Sequence, residues 1–171
     1  MGQQPSAPMD VVFLCLGNIC RSPMAERVAR AHAEAAGLAG LVQVSSAGVS
    51  SEEEGNPMDH RARAVLARHG YDAATPHVAH RITDAEAAGA SLIVAAERRH
   101  LDALARRGID VSPQRAVLLT SYVPGAVPGS PLPDPWYGTA SGFDDTLQVV
   151  EAAMPGFLDR VRRQAGGAGT A

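Results

Sequence analysis

The sequence predicts an α/β fold in which a four-stranded parallel sheet carries helices on both faces. Three short apolar runs and one segment of alternating apolar and polar residues, each of a length typical of a strand, are interspersed with segments that repeat apolar residues at helical spacing. Most connections between them are short, and such alternation is typical of parallel sheets that bind ligands at the carboxyl ends of their strands. With 171 residues and no break in composition, the chain is expected to form one domain.

The N-terminal half is predicted to supply two strands and two helices. Residues 11–14 form the apolar run of the first strand, and residues 23–36 carry an apolar stripe at helical spacing that faces the core. Residues 41–45 alternate as a second strand. A second helix is expected to begin at residues 56–57 and to end at Gly70.

The C-terminal half continues the alternation of helices and strands. A capping box over residues 83–86 begins a short helix, and residues 91–95 follow as a buried strand. Residues 97–107 are predicted to be helical and residues 116–119 to be the fourth strand. A last helix carries apolar residues at helical spacing, namely Phe143, Leu147, Val150 and Met154. Pro155 is expected to kink or restart this helix.

Composition limits the class of protein. The net charge is -3, and the chain has no run of eighteen apolar residues and no recognisable leader, which predicts a cytoplasmic protein without a membrane span. The ends, residues 1–9 and 166–171, are expected to be disordered. Both cysteines lie in one short segment, which excludes a disulfide framework and a Cys-x2-Cys metal site. All 15 basic residues are arginines, which excludes the Gly-Lys-Ser/Thr ending of a nucleotide-binding loop.

The segment 15–23, Cys-Leu-Gly-Asn-Ile-Cys-Arg-Ser-Pro, joins the first strand to the first helix. Its loop begins at Cys15 and ends at Arg21, a spacing that can turn backbone N–H groups inward around an anion. Ser22 is expected to cap the helix and Pro23 suits its first turn, so the positive end of the helix dipole points into the loop. That field favours the thiolate form of Cys15, which is the nucleophilic form of a cysteine.

Arg21 completes this loop with a planar guanidinium that can bind two phosphate oxygens at once. A bare Cys-x5-Arg spacing is more often a buried cysteine beside a surface arginine. Here Gly17 permits unusual backbone angles, Asn18 tolerates the left-handed region, and the Arg-Ser-Pro ending leads directly into a helix. These features favour a catalytic loop that binds phosphate.

A second functional element lies in segment 120–142, which is rich in proline and glycine and has no periodicity. Within it, Pro135 restricts the backbone of Asp134 to extended angles, and Trp136 and Tyr137 follow. A positioned acid supplies the proton that a departing phenolic oxygen requires, so Asp134 is the candidate general acid. The alternative is a simple Asp-Pro turn.

The segment 15–23 closely resembles the signature of low-molecular-weight protein tyrosine phosphatases, and Asp-Pro-Trp-Tyr-Gly is similar to the acid motif of that family. The resemblance covers roughly residues 10–163 and implies a single domain of low-molecular-weight phosphatase (Rossmann-like) architecture, with strand order 2-1-3-4. By match to these motifs, Cys15 is the nucleophile, Arg21 the phosphate clamp and Asp134 the general acid. The implied reaction is hydrolysis of phosphotyrosine through a cysteinyl-phosphate intermediate.

The resemblance also implies the other residues of the site. Substrate-binding positions are Leu16, Gly17, Asn18, Ile19, Cys20, Ser22, Trp136 and Tyr137. Asn18, Ser46 and His77 are expected to form a hydrogen-bond network that holds the loop, while Ser22 donates to the sulfur of Cys15. No metal and no cofactor are expected. The expected partner is a phosphotyrosine-containing protein or a small aryl phosphate, bound by a monomer without nucleic-acid or membrane partners.

Two departures from the family pattern concern the substrate. The aromatic residue that usually follows the segment 46–48 is absent, and Glu52, Glu53 and Glu54 occupy that region. They are either a solvated charge run or an acidic rim of the phosphate pocket that favours substrates with basic flanks. The family pattern Asp-x-Ile-x-x-Met-Asp is replaced by a segment that ends in Glu97.

Three other classes of protein share parts of this pattern. Thioredoxin-coupled arsenate reductases need a later cysteine pair, whereas no cysteine follows Cys20. Arginine phosphatases typically have Thr in place of Ile19 and an Asp-Pro-Phe acid motif, so Ile19 and the aromatic pair that follows Pro135 favour an aryl phosphate. A non-catalytic phosphate-binding module would require neither Cys15 nor Asp134. Cys20 is either a small apolar filler or a redox partner that captures oxidised Cys15 as a disulfide.

Overall fold

A computed structural model describes residues 7–167 of the chain. Its sheet has four parallel strands: β1 (Met9–Cys15), β2 (Val42–Gly48), β3 (Leu92–Ala95) and β4 (Ala116–Leu118). Their order is β2-β1-β3-β4, which confirms the predicted fold class and strand order. Because β1 pairs with both β2 and β3, its carboxyl end is at the middle of the sheet edge where ligands of such folds bind.

Within residues 7–167, five α-helices connect and cover the strands: α1 (Arg21–Ala35), α2 (His60–Arg68), α3 (Asp84–Gly89), α4 (Arg98–Ala105) and α5 (Ser141–Gly167). Two 3-10 helices, Leu119–Tyr122 and Pro135–Tyr137, lie in the connection between β4 and α5. The capping box predicted at the start of α3 is present, with the Thr83 hydroxyl accepting from the backbone of Glu86. The long last helix is continuous, so Pro155 does not restart it.

The core lies on both faces of the sheet because alternate residues of β1 point in opposite directions. Val11 and Phe13 belong to the larger buried cluster, which α1, α2 and α5 cover. Val12 and Leu14 belong to a second cluster, which includes residues of α3 and α4. All four side chains are at most 5% exposed, which explains why β1 is a continuous apolar run rather than an alternating one.

Two helix starts differ from the sequence prediction. The second helix begins at His60 instead of residues 56–57, because the side chain of Asp59 accepts from the Arg61 N–H and caps it there. The first helix begins at Arg21 with Cys20 as its N-cap and without a side-chain cap. The prediction that Ser22 caps this helix is therefore wrong, since its hydroxyl makes other contacts.

The predicted disordered ends need correction at their inner limits. Met9 begins β1 and is 7% exposed, and Gly166 lies within α5. Residues 1–6 and 168–171 lie outside the described residues. Between residues 7 and 167, no helix has the combination of length and apolarity that crossing a membrane requires.

Candidate active site

The loop between β1 and α1 curls around the sulfur of Cys15. Cys15 is the last residue of β1 and is 3% exposed, and the backbone N–H of Asn18 donates to its Sγ at 3.3 Å. This turn requires a left-handed backbone at Asn18, whose φ of 62° is the only positive value at a non-glycine residue among residues 7–167. Asparagine tolerates that conformation, so the sequence is suited to the turn.

A hydrogen-bond network holds this loop from below. The Asn18 Nδ2 donates to Ser22 Oγ at 2.9 Å and to Ser46 Oγ at 3.0 Å. Ser22 Oγ lies 3.0 Å from Cys15 Sγ, a contact that takes the place of helix capping. His77 Nε2 lies 2.6 Å from the Asn18 carbonyl oxygen. The contacts that the family resemblance implies for Asn18, Ser46, His77 and Ser22 are therefore present.

The protonation of His77 follows from its surroundings. Burial lowers the pKa of His77, so the ring is neutral near pH 7. A carbonyl oxygen can only accept, and Nε2 therefore carries the ring proton that is donated to Asn18. The backbone N–H of His80 donates to Asn18 Oδ1 at 3.1 Å. Hydrogen bonds therefore fix both the backbone and the side chain of Asn18.

The network continues into α1 through a carboxylate that the sequence did not reveal. Ser46 Oγ donates to Glu26 Oε2 at 2.6 Å, and Arg30 pairs with the other oxygen of Glu26 at 2.7 Å. Glu26 is 9% exposed. The available signal was its i,i+4 spacing to Arg30 on the helix that follows the loop, but that spacing is also common on exposed helix faces.

The end of β2 approaches the loop so closely that a side chain is excluded. A Cβ at Gly48 would lie 2.6 Å from the carbonyl oxygen of Leu16. The backbone N–H groups of Val49 and Ser50 donate to the carbonyls of Cys15 and Leu16, both at 3.0 Å. Glycine at position 48 thus lets the strand support the loop directly.

Arg21 begins α1 and is 2% exposed. Its Nη1 donates to Glu97 Oε1 at 2.5 Å and to the Leu132 carbonyl at 2.9 Å, and its Nη2 donates to Asp134 Oδ2 at 3.3 Å. Arg99 also pairs with Glu97, at 2.7 Å. Burial opposes ionisation of Glu97, but the hydrogen bonds from Arg21 and Arg99 hold its pKa below the usual range. Glu97 is therefore an anionic partner of Arg21 at neutral pH.

The candidate acid lies across from the cysteine loop. The backbone of Asp134 is extended, as Pro135 requires, and Asp134 Oδ1 accepts from the N–H of Trp136 at 3.1 Å. The N–H of Leu132 donates to the Ala96 carbonyl at 2.8 Å, which attaches this long connection to the end of β3. Trp136 is 42% exposed and Tyr137 is 87% exposed, so both rings are accessible from solvent.

A pocket of about 80 Å³ unites these elements. Its lining consists of Cys15, Leu16, Gly17, Ile19, Cys20, Arg21, Glu52, Glu53, Asp134, Trp136 and Tyr137. Asn18, Ser22, Ser46 and His77 lie behind this lining and support it. Of the three glutamates, Glu52 and Glu53 reach the pocket, and a Cβ on Gly17 would lie 3.0 Å from Glu53 Cγ. Glu54 is exposed and is not part of the lining.

Cys20 differs from Cys15 in its electrostatic surroundings. It is 5% exposed, and burial together with the negative charge of Asp59 raises the pKa of its thiol far above the usual range. Both cysteines are free thiols. Cys20 is therefore a neutral thiol at the wall of the pocket, beside a sulfur that accepts hydrogen bonds from Asn18 and contacts Ser22.

The fold and the pocket together define a phosphatase of the cysteine-nucleophile class. Residues 10–166 match the family model described as low molecular weight phosphotyrosine protein phosphatase. A low molecular weight protein-tyrosine-phosphatase of Streptomyces coelicolor is 44% identical over 159 residues, which cover 92% of this chain and 96% of the relative. The chain belongs to the low molecular weight phosphotyrosine protein phosphatase family, which confirms the family and the enzyme class predicted from the sequence.

Solved structures of phosphatases share the fold of this chain. A protein tyrosine phosphatase from Entamoeba histolytica superposes with a TM-score of 0.83 at 26% identity and covers 91% of this chain and 98% of its own. The YwlE arginine phosphatase of Bacillus subtilis, in a variant with a phosphorylated active-site serine, superposes with a TM-score of 0.75 at 27% identity, covering 90% and 96%. The fold alone therefore does not separate aryl phosphates from phosphoarginine.

Proposed function

We propose that this protein removes phosphate from phosphotyrosine in proteins through a phosphocysteine at Cys15. The observation that carries this proposal is that a thiol, a buried guanidinium and a carboxyl group line one pocket: Cys15, Arg21 and Asp134. Nucleophile, anion clamp and proton donor are the three groups that a phosphomonoester hydrolase of this kind requires. Binding alone would require only the clamp.

In the first chemical step, the Cys15 thiolate attacks the phosphorus atom. The S–P bond forms as the bond from phosphorus to the phenolic oxygen breaks, and Asp134 gives its proton to that oxygen. Arg21 and the backbone N–H groups of the loop bind the phosphoryl oxygens and stabilise the charge that spreads over them. In the second step, a water molecule attacks the phosphorus atom of the phosphocysteine, and Asp134 accepts a proton from this water. The S–P bond breaks, which releases inorganic phosphate and restores the Cys15 thiolate.

The network behind the loop supports the thiolate in both steps. When the sulfur is ionised, the Ser22 hydroxyl and the Asn18 N–H can both donate to it, at 3.0 and 3.3 Å. The Asn18 Nδ2 donates to the Ser22 oxygen, so the hydroxyl proton of Ser22 has two acceptors within reach, the sulfur at 3.0 Å and the Ala47 carbonyl oxygen at 3.3 Å. Ionisation of the sulfur favours the first, because a charged acceptor forms the stronger hydrogen bond. A reduced thiol is needed throughout, and a reducing compartment such as the cytoplasm suits this requirement.

An aromatic substrate fits the lining of the pocket better than an alkyl phosphate. Ile19 and the two exposed rings of Trp136 and Tyr137 offer apolar and aromatic surface at the mouth. These residues also favour phosphotyrosine over phosphoarginine, since the guanidinium of phosphoarginine needs polar partners rather than an aromatic wall.

A substrate panel with a covalent trap tests this proposal. We expect hydrolysis of phosphotyrosine peptides and p-nitrophenyl phosphate, with at least about tenfold lower kcat/KM for phosphoarginine. Cys15→Ser should retain less than about a hundredth of the wild-type turnover, and acid quench of the wild-type reaction should yield phosphocysteine at position 15. Higher turnover by Cys15→Ser, or a preference for phosphoarginine, would contradict the proposal.

A further inference from the structure

Arg61 lies in the first turn of α2 and is fixed on several sides. Its Nε and Nη2 donate to the two oxygens of Asp59 at 3.1 and 2.9 Å. Its Cζ lies 4.6 Å from the centroid of the Phe143 ring, which is 1% exposed, and 5.2 Å from the centroid of the Trp136 ring. Because Asp59 and Phe143 hold the guanidinium in place, its flat surface is a rigid platform for the more exposed Trp136.

The same contacts connect the two halves of the active site. The N–H of Asp59 donates to the Ile19 carbonyl at 2.8 Å, so the residue that holds Arg61 also holds the phosphate loop. On the other side, the N–H of Trp136 donates to Asp134 Oδ1 at 3.1 Å. Arg21 Nη2 donates to the other oxygen, Oδ2, at 3.3 Å. The position of the Asp134 carboxyl group therefore depends on Trp136 as well as on Arg21, and Trp136 lies against Arg61.

We infer that Arg61 is a positioning residue that fixes the acid Asp134 over the phosphate loop through its contact with Trp136. This inference rests on the proposed role of Asp134 as general acid. Trp136 lies in a 3-10 helix of only three residues within a long irregular connection, so its N–H is not held by a longer helix or a strand. Without the platform, the N–H that orients Asp134 is less well placed, and small displacements of a catalytic group reduce the rate strongly.

The test compares leaving groups in variants of Arg61. A poor leaving group such as phenyl phosphate depends on the acid, whereas p-nitrophenyl phosphate departs with little help from a proton. Arg61→Gln should lower kcat/KM for phenyl phosphate about tenfold and for p-nitrophenyl phosphate less than about threefold. The matched control is Arg63→Gln, which removes the same charge from an exposed position of α2 and should leave the ratio of the two substrates unchanged.

Two further variants separate positioning from charge and from folding. Arg61→Lys keeps the positive charge but cannot bind both oxygens of Asp59 and stack at once, so it should lose the same selectivity as Arg61→Gln. Trp136→Leu removes the stacked ring while keeping the pair of Arg61 and Asp59. It should also lower the phenyl phosphate rate selectively, and it keeps the test valid if Arg61→Gln unfolds.

The variant Asp134→Ala distinguishes failure of this inference from failure of the proposed function. If Asp134→Ala slows both substrates equally, the acid role itself is wrong. If Asp134→Ala is selective and Arg61→Gln slows both substrates equally, only the positioning role is overturned. In the Asp134→Ala background, Arg61→Gln should lower kcat/KM for phenyl phosphate by less than a further factor of about two, because the acid that Arg61 positions is already absent. A further loss of about tenfold in this double variant would overturn the inference. So would an Arg61→Lys variant whose ratio of kcat/KM for the two substrates equals that of wild type.

Discussion

His100 on α4 allows a quantitative prediction about stability and pH. Its side chain is 1% exposed, and neither ring nitrogen has a hydrogen-bond partner among the described residues. Burial, together with the nearby positive charge of Arg21, lowers the pKa of His100 from 6.5 to about 4. The folded pKa is thus below the unfolded value, so the contribution of His100 to stability is complete above pH 6.5 and is lost as pH falls towards 4.

The size of this effect follows from the two pKa values. At pH 7.5 both states are largely neutral. At pH 5.5 about nine tenths of the unfolded chains carry a proton on this ring, whereas the folded ring stays neutral. The free energy of unfolding therefore falls by about 1.3 kcal/mol between pH 7.5 and pH 5.5. His100→Leu removes this titration and also removes two unsatisfied polar atoms, so it should be neutral or stabilising at pH 7.5.

Urea unfolding followed by far-UV circular dichroism at pH 7.5 and 5.5 measures the effect. We expect the stability of His100→Leu relative to wild type to rise by about 1.3 kcal/mol on going to pH 5.5. The control is His69→Leu, because it makes the same replacement at a histidine whose side chain is 44% exposed rather than buried. A His100→Leu difference that does not depend on pH would refute the reasoning.

Three further predictions concern catalysis. Activity should persist in excess EDTA because Arg21 and the loop amides supply the charge stabilisation; loss that a divalent ion restores would contradict this. After treatment with peroxide, Cys20→Ser should recover less activity with thiol than wild type, since it cannot trap oxidised Cys15 as a disulfide, and equal recovery would favour the filler role of Cys20. The double variant Glu52→Gln, Glu53→Gln should show a smaller preference in kcat/KM for basic over acidic phosphotyrosine peptides. We expect a reduction of about threefold at low salt and little change at high salt, because salt screens exposed charges. Glu54→Gln is the control.

The strands and the cysteine loop could be predicted because their signals are local, whereas the order of the strands followed only from the resemblance to a known family. Three of the strands are short apolar runs and the second alternates apolar with polar residues, while residues 15–23 carry the loop motif and the helix start in one continuous segment. Ser22 shows where local reasoning fails. Its position before Pro23 is suited to capping, but contacts with Cys15 and Asn18 determine where its hydroxyl points. Cys15 and Asn18 lie in the loop before the helix, and the sequence at the helix start does not show how that loop folds around Ser22.

Two residues that the sequence did not reveal have partners that are distant in the sequence. Glu26 accepts from Ser46 across 20 positions, and Arg61 lies over the ring of Trp136, 75 positions away. His100 gives no local signal either, since one histidine on an amphipathic helix is usually half exposed. A carboxylate or arginine on a helix face is most often solvated, so only the packing of the sheet and helices identifies these as parts of the site.

The contacts of Arg21 explain how one buried cation can serve both the folded protein and the substrate. A buried guanidinium needs anionic partners, because an uncompensated charge in the interior is costly. Nη1 donates to Glu97 and to the Leu132 carbonyl, and neither of these residues lines the pocket. Nη2 instead meets Asp134 at the longer distance of 3.3 Å, within the pocket that also contains Cys15. In the proposed mechanism, a phosphate meets Arg21 on this side and replaces Asp134 as the partner of Nη2. The exchange leaves the Asp134 carboxyl group free for its proposed role in proton transfer.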